Sequence, residues 1–151
     1  MTKKVAIMQP YFFPYIGYWQ LMNAVDMFVI LDDVNFIKRG FINRNNILLN
    51  NQPYMFSIPL ERPSQNKLIM DTKLNFSDKE KDSFLKTINL AYKKAPYFET
   101  VFSLIQNIVK LQELDLTKYI HNSFNEVNKY LGIDTRILVS SNIKAIVYIF
   151  S

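Results

Sequence analysis

The sequence predicts an α/β fold: a three-layer Rossmann-like open sheet with an N-terminal βαβ unit, a β-hairpin and a helical second half. Three observations carry this expectation. Two short apolar runs, KKVAIM at 3–8 and DMFVIL at 26–31, flank PYIGYWQLMNA at 14–24, whose apolar residues recur at helical spacing. Two strand-like segments, 45–49 and 53–59, sit around Asn50-Asn51-Gln52. From residue 77 to 131 the periodicity is helical throughout, and TRILV at 135–139 reads as a strand returning to the sheet.

Each element has a local cause. Pro14 suits a first helical turn, where a missing N–H costs nothing. Strand, helix and parallel strand then make one βαβ crossover. After the hairpin, 61–67 reads as a loop and 68–74 as a further strand. S-D-K-E at 77–80 is a capping-box pattern. The helix it opens buries Phe84, Leu85, Ile88, Ala91 and Tyr92. Pro96 starts a second helix with Phe98, Val101, Phe102, Ile105, Ile108 and Val109 inward. A third, 116–131, buries Ile120, Phe124, Val127 and Leu131 before Gly132 ends it. No repeat or linker interrupts the chain, so residues 1–151 read as a single domain.

Composition narrows the function. With 151 residues, 49% hydrophobic and 21% charged, the chain can bury about two-thirds of its unfolded surface. It has no cysteine, which excludes disulfides, thiolate nucleophiles and zinc–sulfur sites. One histidine, His121, argues against a His-based metal cluster or triad, and it reads as structural or solvated. MTKKVAIMQP is too polar for a signal peptide, and no run of ~18 apolar residues occurs. The expected location is cytoplasmic. A net charge of +5 fits an anionic partner: a nucleotide, a nucleic acid or an anionic membrane surface. No nucleic-acid motif accompanies it, so the expected partner is a small-molecule nucleotide or nucleotide sugar.

Three stretches carry candidate chemistry. MQPYFFPYIGYWQ, 8–20, places Gln9, Pro10, Tyr11, Pro14, Gly17 and Tyr18 at the carboxyl end of the first strand, where open α/β sheets bind ligands. The following helix start presents free N–H groups suited to phosphate, and Gly17 leaves room for close approach to the backbone. The alternative is that these rings cover the sheet. Asp32-Asp33 ends the second strand, and such carboxylates can bind Mg²⁺ with phosphate oxygens or accept a proton. Adjacent strand residues face opposite ways, so one of the two is expected to face the crevice. A solvated strand end is the plainer reading. Lys38, Arg39, Asn43 and Arg44 form a polar, basic loop that could grip an anion, or a surface charge run.

Together QPYFFPYIGYWQ, DMFVILDDVNF and KRGFINRNNIL resemble the WbqC-like family of bacterial proteins, with TRILVSS at 135–141 as a weaker later match. The resemblance implies a role in O-antigen or other surface-polysaccharide biosynthesis. Some members look like enzymes that attach an aminoacyl group to a nucleotide-linked amino sugar. The matching positions are Gln9, Pro10, Pro14, Gly17, Tyr18, Asp32, Asp33, Lys38, Asn43 and Arg44, with Ser140 and Ser141 in the later motif. Asp32, Asp33 and Lys38 are the catalytic candidates; the others, with Tyr11 and Arg39, are candidates for substrate binding. A nucleotide with Mg²⁺ is the implied cofactor, without a dedicated protein metal site.

Tyr15-Ile16-Gly17-Tyr18 also sits where HIGH-type nucleotidyltransferases place H-I-G-H. A phenol can donate to phosphate but brings no imidazolium charge, so Lys38, Arg39 or Arg44 would supply it. Members of the family continue beyond the Ser-Ser motif, whereas NIKAIVYIFS closes this chain at 142–151. The expectation is therefore a missing C-terminal portion, with a non-catalytic scaffold or inactive remnant as alternatives. An exposed apolar tail would permit a homodimer.

Overall fold

The two apolar runs form β1 (Val5–Met8) and β2 (Met27–Ile30), joined by α1 (Ile16–Ala24). The computed structural model describes residues 2–143. Beyond β2 come the hairpin strands β3 (Arg44–Leu49) and β4 (Gln52–Ser57), and the short antiparallel pair β5 (Leu60–Glu61) and β6 (Lys73–Leu74). Helices α2 (Asp78–Tyr92), α3 (Phe98–Val109) and α4 (Leu116–Leu131) follow, and β7 (Arg136–Val139) runs into a short 3₁₀ turn at Ser140–Asn142.

β2 lies between β1 and β7, parallel to both. Val29 sits opposite Ile7 on one side and Leu138 on the other. Alternation turns Ala6, Phe28, Ile30, Ile137 and Val139 to the other face, into the core with α1 and α4. Tyr18 stands 5.3 Å from Phe28 and 5.4 Å from Phe124, centroid to centroid. The Thr135 hydroxyl donates to the Met22 carbonyl at 2.7 Å, tying the approach to β7 onto α1.

The hairpin closes on a two-residue turn. Leu49 pairs with Gln52, and Asn50 and Asn51 have φ of 52° and 60°. Asparagine tolerates this left-handed region better than other side chains, which suits a type I′ connection. At α2 the capping box is complete: the Ser77 hydroxyl accepts from the Glu80 N–H, and the Ser77 N–H donates to the Glu80 carboxylate at 2.9 Å. Gly132, at φ 69°, ends α4 as expected.

Several expectations change. Tyr15 is extended and caps α1, so Pro14 precedes the helix rather than opening it, and its carbonyl accepts from the Trp19 indole at 3.2 Å. Segment 68–74 is not a continuous strand. A 3₁₀ turn, Ile69–Asp71, occupies its middle because Ile69 and Met70 donate to the Val34 and Asp32 carbonyls instead of to a sheet. Leu131, expected inside, is 48% exposed. Among the described residues the architecture is mixed α/β, with a small parallel sheet and four α-helices. α2 packs on α3 and β3, and α3 on α4. Phe84 of α2 meets Phe56 of β4 at 5.0 Å. The hairpin thus takes the apolar faces that a third layer on the sheet would need, and these contacts do not establish a three-layer arrangement. Residues 144–151, on which the dimer expectation rested, lie outside the described residues.

His121 is half-buried on α4, and burial holds its imidazole below the ordinary 6.5. The unfolded chain therefore binds the proton more readily, and stability is lost as pH falls from 6.5 through the folded value. Urea midpoints measured from about pH 7.5 downward will decline more steeply for the native chain than for His121→Gln across that window.

Candidate functional site

A proline on either side of Tyr11-Phe12-Phe13 keeps this segment from continuing β1, and the rings sort by burial. Phe12 is fully buried, 5.6 Å from Tyr119 and 6.4 Å from Phe56. Tyr18 and Trp19 are buried too, whereas Tyr15 is 64% exposed. The covering role is thus real for Phe12, Tyr18 and Trp19, holds in part for Tyr11 and Phe13, which pack against the core, and does not account for Tyr15.

Three hydrogen bonds fix the turn. The Phe12 N–H donates to the Ile42 carbonyl at 2.9 Å. The Asn45 amide donates to the Phe13 carbonyl at 2.7 Å, and the Tyr18 hydroxyl donates to the Gln9 carbonyl at 2.6 Å. Phe13 is held at φ 47°, a left-handed conformation unfavourable for an aromatic residue, so the surroundings impose it. Burial pushes the Tyr18 phenol up, so it remains a neutral donor. The Tyr11 phenol is also raised, by burial first and then by neighbouring Tyr15.

Beyond the carboxyl ends of β1 and β2 lies an open cleft of about 560 Å³. Gln9, Pro10, Tyr11 and Tyr18, all singled out in the sequence, line it together with Tyr15. Leu31 forms part of its floor, and Ile37, Gly40 and Phe41 form the opposite wall. The Tyr11 and Phe41 rings pack together at 5.8 Å, centroid to centroid, joining the two walls. The walls are mainly apolar and aromatic, with a few polar atoms, as in sites for organic ligands.

The remaining candidates stand around this cleft rather than in it. Asp32 is 2% exposed, and its carboxylate faces β7: it accepts from the Ser141 N–H at 3.0 Å and from the Ser141 hydroxyl at 2.9 Å. Its own N–H donates to the Ser140 hydroxyl oxygen at 3.0 Å. That hydroxyl has one proton, and the shorter contact, 2.5 Å, directs it to Asp33 rather than to Asp32 at 3.0 Å. Asp32 is therefore consumed in joining two strand ends, while Asp33 is the exposed carboxylate of the pair. Ser140 and Ser141 act on these aspartates and do not line the cleft.

Arg44 does not line it either. Its Nε donates to the Gly40 carbonyl at 2.7 Å, and its guanidinium stands 5.9 Å from the Phe41 ring, so it braces the far wall. Asn43 donates to the Ile58 carbonyl at 2.9 Å and is likewise a brace. Lys38 and Arg39 are exposed on the turn between Ile37 and Gly40. Gly17 does not line the cleft; the Tyr15 ring lies over it, in the space that a Cβ would take.

The WbqC-like family model matches residues 9–147, nearly the whole chain and all of these positions. The chain belongs to the WbqC-like protein family. A relative in Mycobacterium tuberculosis H37Rv, the uncharacterized protein Rv1507c, is 29% identical over 137 residues. The alignment covers 89% of this chain, and the chain spans 59% of that relative's length. No solved structure matches the chain. The family match opens on Gln9, the first residue of the aromatic turn, and extends past Ser140 and Ser141.

Asn45 and the apolar wall at Ile37 and Phe41 escaped the sequence reading. Phe41 interrupts the basic loop, which was the available signal; Asn45 carries none, because its partner lies 32 residues away.

Ser140→Ala will orphan the buried Asp32 N–H and release Asp33, costing roughly 1–3 kcal/mol in urea unfolding. Ser140→Cys, which retains a weak donor, will lose less.

Proposed function

We propose that the chain is a transferase-like domain of surface-polysaccharide biosynthesis whose cleft receives a nucleotide-linked amino sugar, with aminoacyl transfer to the sugar amine as the reaction. The observation that carries this reading is the ring-walled cleft at the carboxyl ends of β1 and β2, lined by Gln9, Tyr11 and Tyr15. Ring faces suit a base or the apolar face of a sugar, and stacking tolerates either. Gln9 and the Tyr11 and Tyr15 phenols supply hydrogen bonds that would orient such a ligand. The sugar amine would attack the acyl carbon of an activated aminoacyl donor, an aminoacyl–phosphate anhydride: the C–N bond forms as the C–O bond to phosphate breaks, and Asp33 accepts the amine proton. Lys38 and Arg39, exposed beside the far wall, are the groups for the phosphate oxygens of the departing group and of the nucleotide. Positioning and fixed charge would supply most of the acceleration. Asp32, with its carboxylate engaged by Ser141, is assigned to the scaffold rather than to Mg²⁺ or proton transfer.

A second reading is a non-catalytic domain that binds the same ligand class within a synthesis complex. It is favoured by one feature: no carboxylate lines the cleft among the described residues.

Binding is tested by thermal shift and calorimetry against uridine- and thymidine-diphosphate sugars. Tyr15→Ala, at a ring 64% exposed, will weaken binding about tenfold or more, the worth of one stacked ring, while leaving unfolding midpoints nearly unchanged. Absence of binding by the native chain to all of them would defeat both readings. Turnover separates the two: Asp33→Asn and Lys38→Gln abolish acyl transfer on the first reading, whereas on the second the native chain binds and transfers nothing.

A further inference from the structure

The cleft leaves most of the chain's positive charge unexplained. Residues 34–60 and 83–98 contain no Asp or Glu, yet carry six of the 18 Lys and Arg: Lys38, Arg39, Arg44, Lys86, Lys93 and Lys94. The rest of the chain holds twelve cations against 13 acids, a net charge of −1. The net +5 therefore belongs to these two segments, which the linear sequence keeps apart.

The fold brings their ends together. The Leu48 N–H reaches the Tyr92 hydroxyl at 3.4 Å, and the hairpin tip lies against the end of α2. Between them is a concavity of about 660 Å³, bounded by Leu48, Asn50 and Asn51 on the hairpin, by Leu90 on α2 and by Lys93 and Lys94 directly after it. Large apolar side chains stand in solvent here: Leu48 is 55% exposed and Leu90 64%. Tyr97, three residues beyond Lys94, is 80% exposed and held at φ 61°. Lys86, Leu90 and Lys93/Lys94 follow one another at helical spacing along α2 and directly after it, a basic stripe interrupted by leucine. Lysines at a helix carboxyl end are explained by its dipole. Exposed leucines beside them are not.

We propose that this tip is a docking surface for an anionic lipid bilayer. Leu48, Leu90 and the Tyr97 ring would enter the headgroup–acyl boundary while Lys86, Lys93 and Lys94 extend to lipid phosphates. Lysine stems accommodate this division, lying along apolar surface with the ammonium at the polar level. Tyrosine has the same amphipathic character. A nucleic acid would use the lysines but has no counterpart for two exposed leucines, and an acidic protein segment has little. The bilayer is the partner that uses both.

Co-sedimentation of the full chain with vesicles tests this, independently of any cleft ligand. The native chain will pellet with phosphatidylglycerol/phosphatidylcholine vesicles and not with phosphatidylcholine alone, and salt will release it. Lys93→Gln with Lys94→Gln will lower partitioning roughly 30-fold, from about a factor of five per lysine. Leu90→Ser will lower it as well. All three positions are exposed, and matching circular dichroism and urea midpoints will show that the variants are folded. Failure of the native chain to pellet with anionic vesicles would overturn the proposal, as would wild-type partitioning of Leu90→Ser. Lysine-dependent binding to duplex DNA without vesicle binding would assign the surface to a polyanion instead.

Discussion

The cleft exists because Phe12 is sealed into the core while nearby Tyr11, only partly buried, and Tyr15, exposed, keep ring surface on the solvent side. Burying this one ring against Tyr119 pulls the chain sharply inward directly after β1. The bond from the Phe12 N–H to Ile42 then brings the 37–42 loop over the same strand end. Asn45 holds the Phe13 carbonyl and so sets the hairpin against the turn. Tyr11 and Tyr15 have nowhere to go but the solvent side, where they become walls. A burial requirement thus creates a binding surface: the sharp reversal that hides one ring exposes its neighbours. Phe13 carries the conformational cost, in a backbone region that costs of order 1–3 kcal/mol and persists only when surrounding contacts over-determine it.

A second constraint decides which charges remain available for chemistry. Parallel strands end with unpaired backbone groups, and at β2 and β7 these ends are joined by Asp32, Ser140 and Ser141. A buried carboxylate is tolerable here because it receives charge-assisted hydrogen bonds from both an N–H and a hydroxyl. The same Ser140 hydroxyl reaches Asp33 and orients the carboxylate that stays accessible. Two adjacent aspartates therefore have different duties, set by strand alternation. One is structural; the other keeps an exposed carboxylate two residues beyond Leu31, which lines the cleft.

Much of the fold was legible locally. β1, β2 and β7 are short apolar runs bounded by polar residues, and the α2 cap declares itself in four consecutive letters. The Asn-Asn turn and Gly132 follow from left-handed backbone that few residues accept. The candidate cleft was half legible: the aromatic turn at a strand end pointed to it, and Gln9, Pro10, Tyr11 and Tyr18 do line it. What could not be read is long-range. Asp32 and Ser140 are 108 residues apart, and hydrogen bonding across that separation leaves no periodicity. Gly17 offered two meanings, room for a ligand or room for a neighbouring ring, and a sequence does not say which atom fills the space. Leu131 obeys helical spacing yet is half-exposed, since the stripe continues to the helix end whether or not anything faces it.

The apparent scatter of positive charge illustrates the same point at larger scale. Along the chain, basic residues alternate with acidic ones often enough to look unpatterned. Folding sets the acid-free tip of the hairpin beside the lysines near the end of α2, so that neither segment brings a carboxylate to offset them. The hairpin then has two chemically distinct ends. Near Arg44 it braces the wall of the cleft; at Leu48–Asn51 it joins the basic, leucine-bearing tip. Six residues of β3 separate these ends by roughly 17 Å at about 3.4 Å per step. A rigid ladder of that length holds the cleft at a fixed height from whatever the tip contacts. Ligand recognition and surface attachment would then share one element without sharing a single side chain.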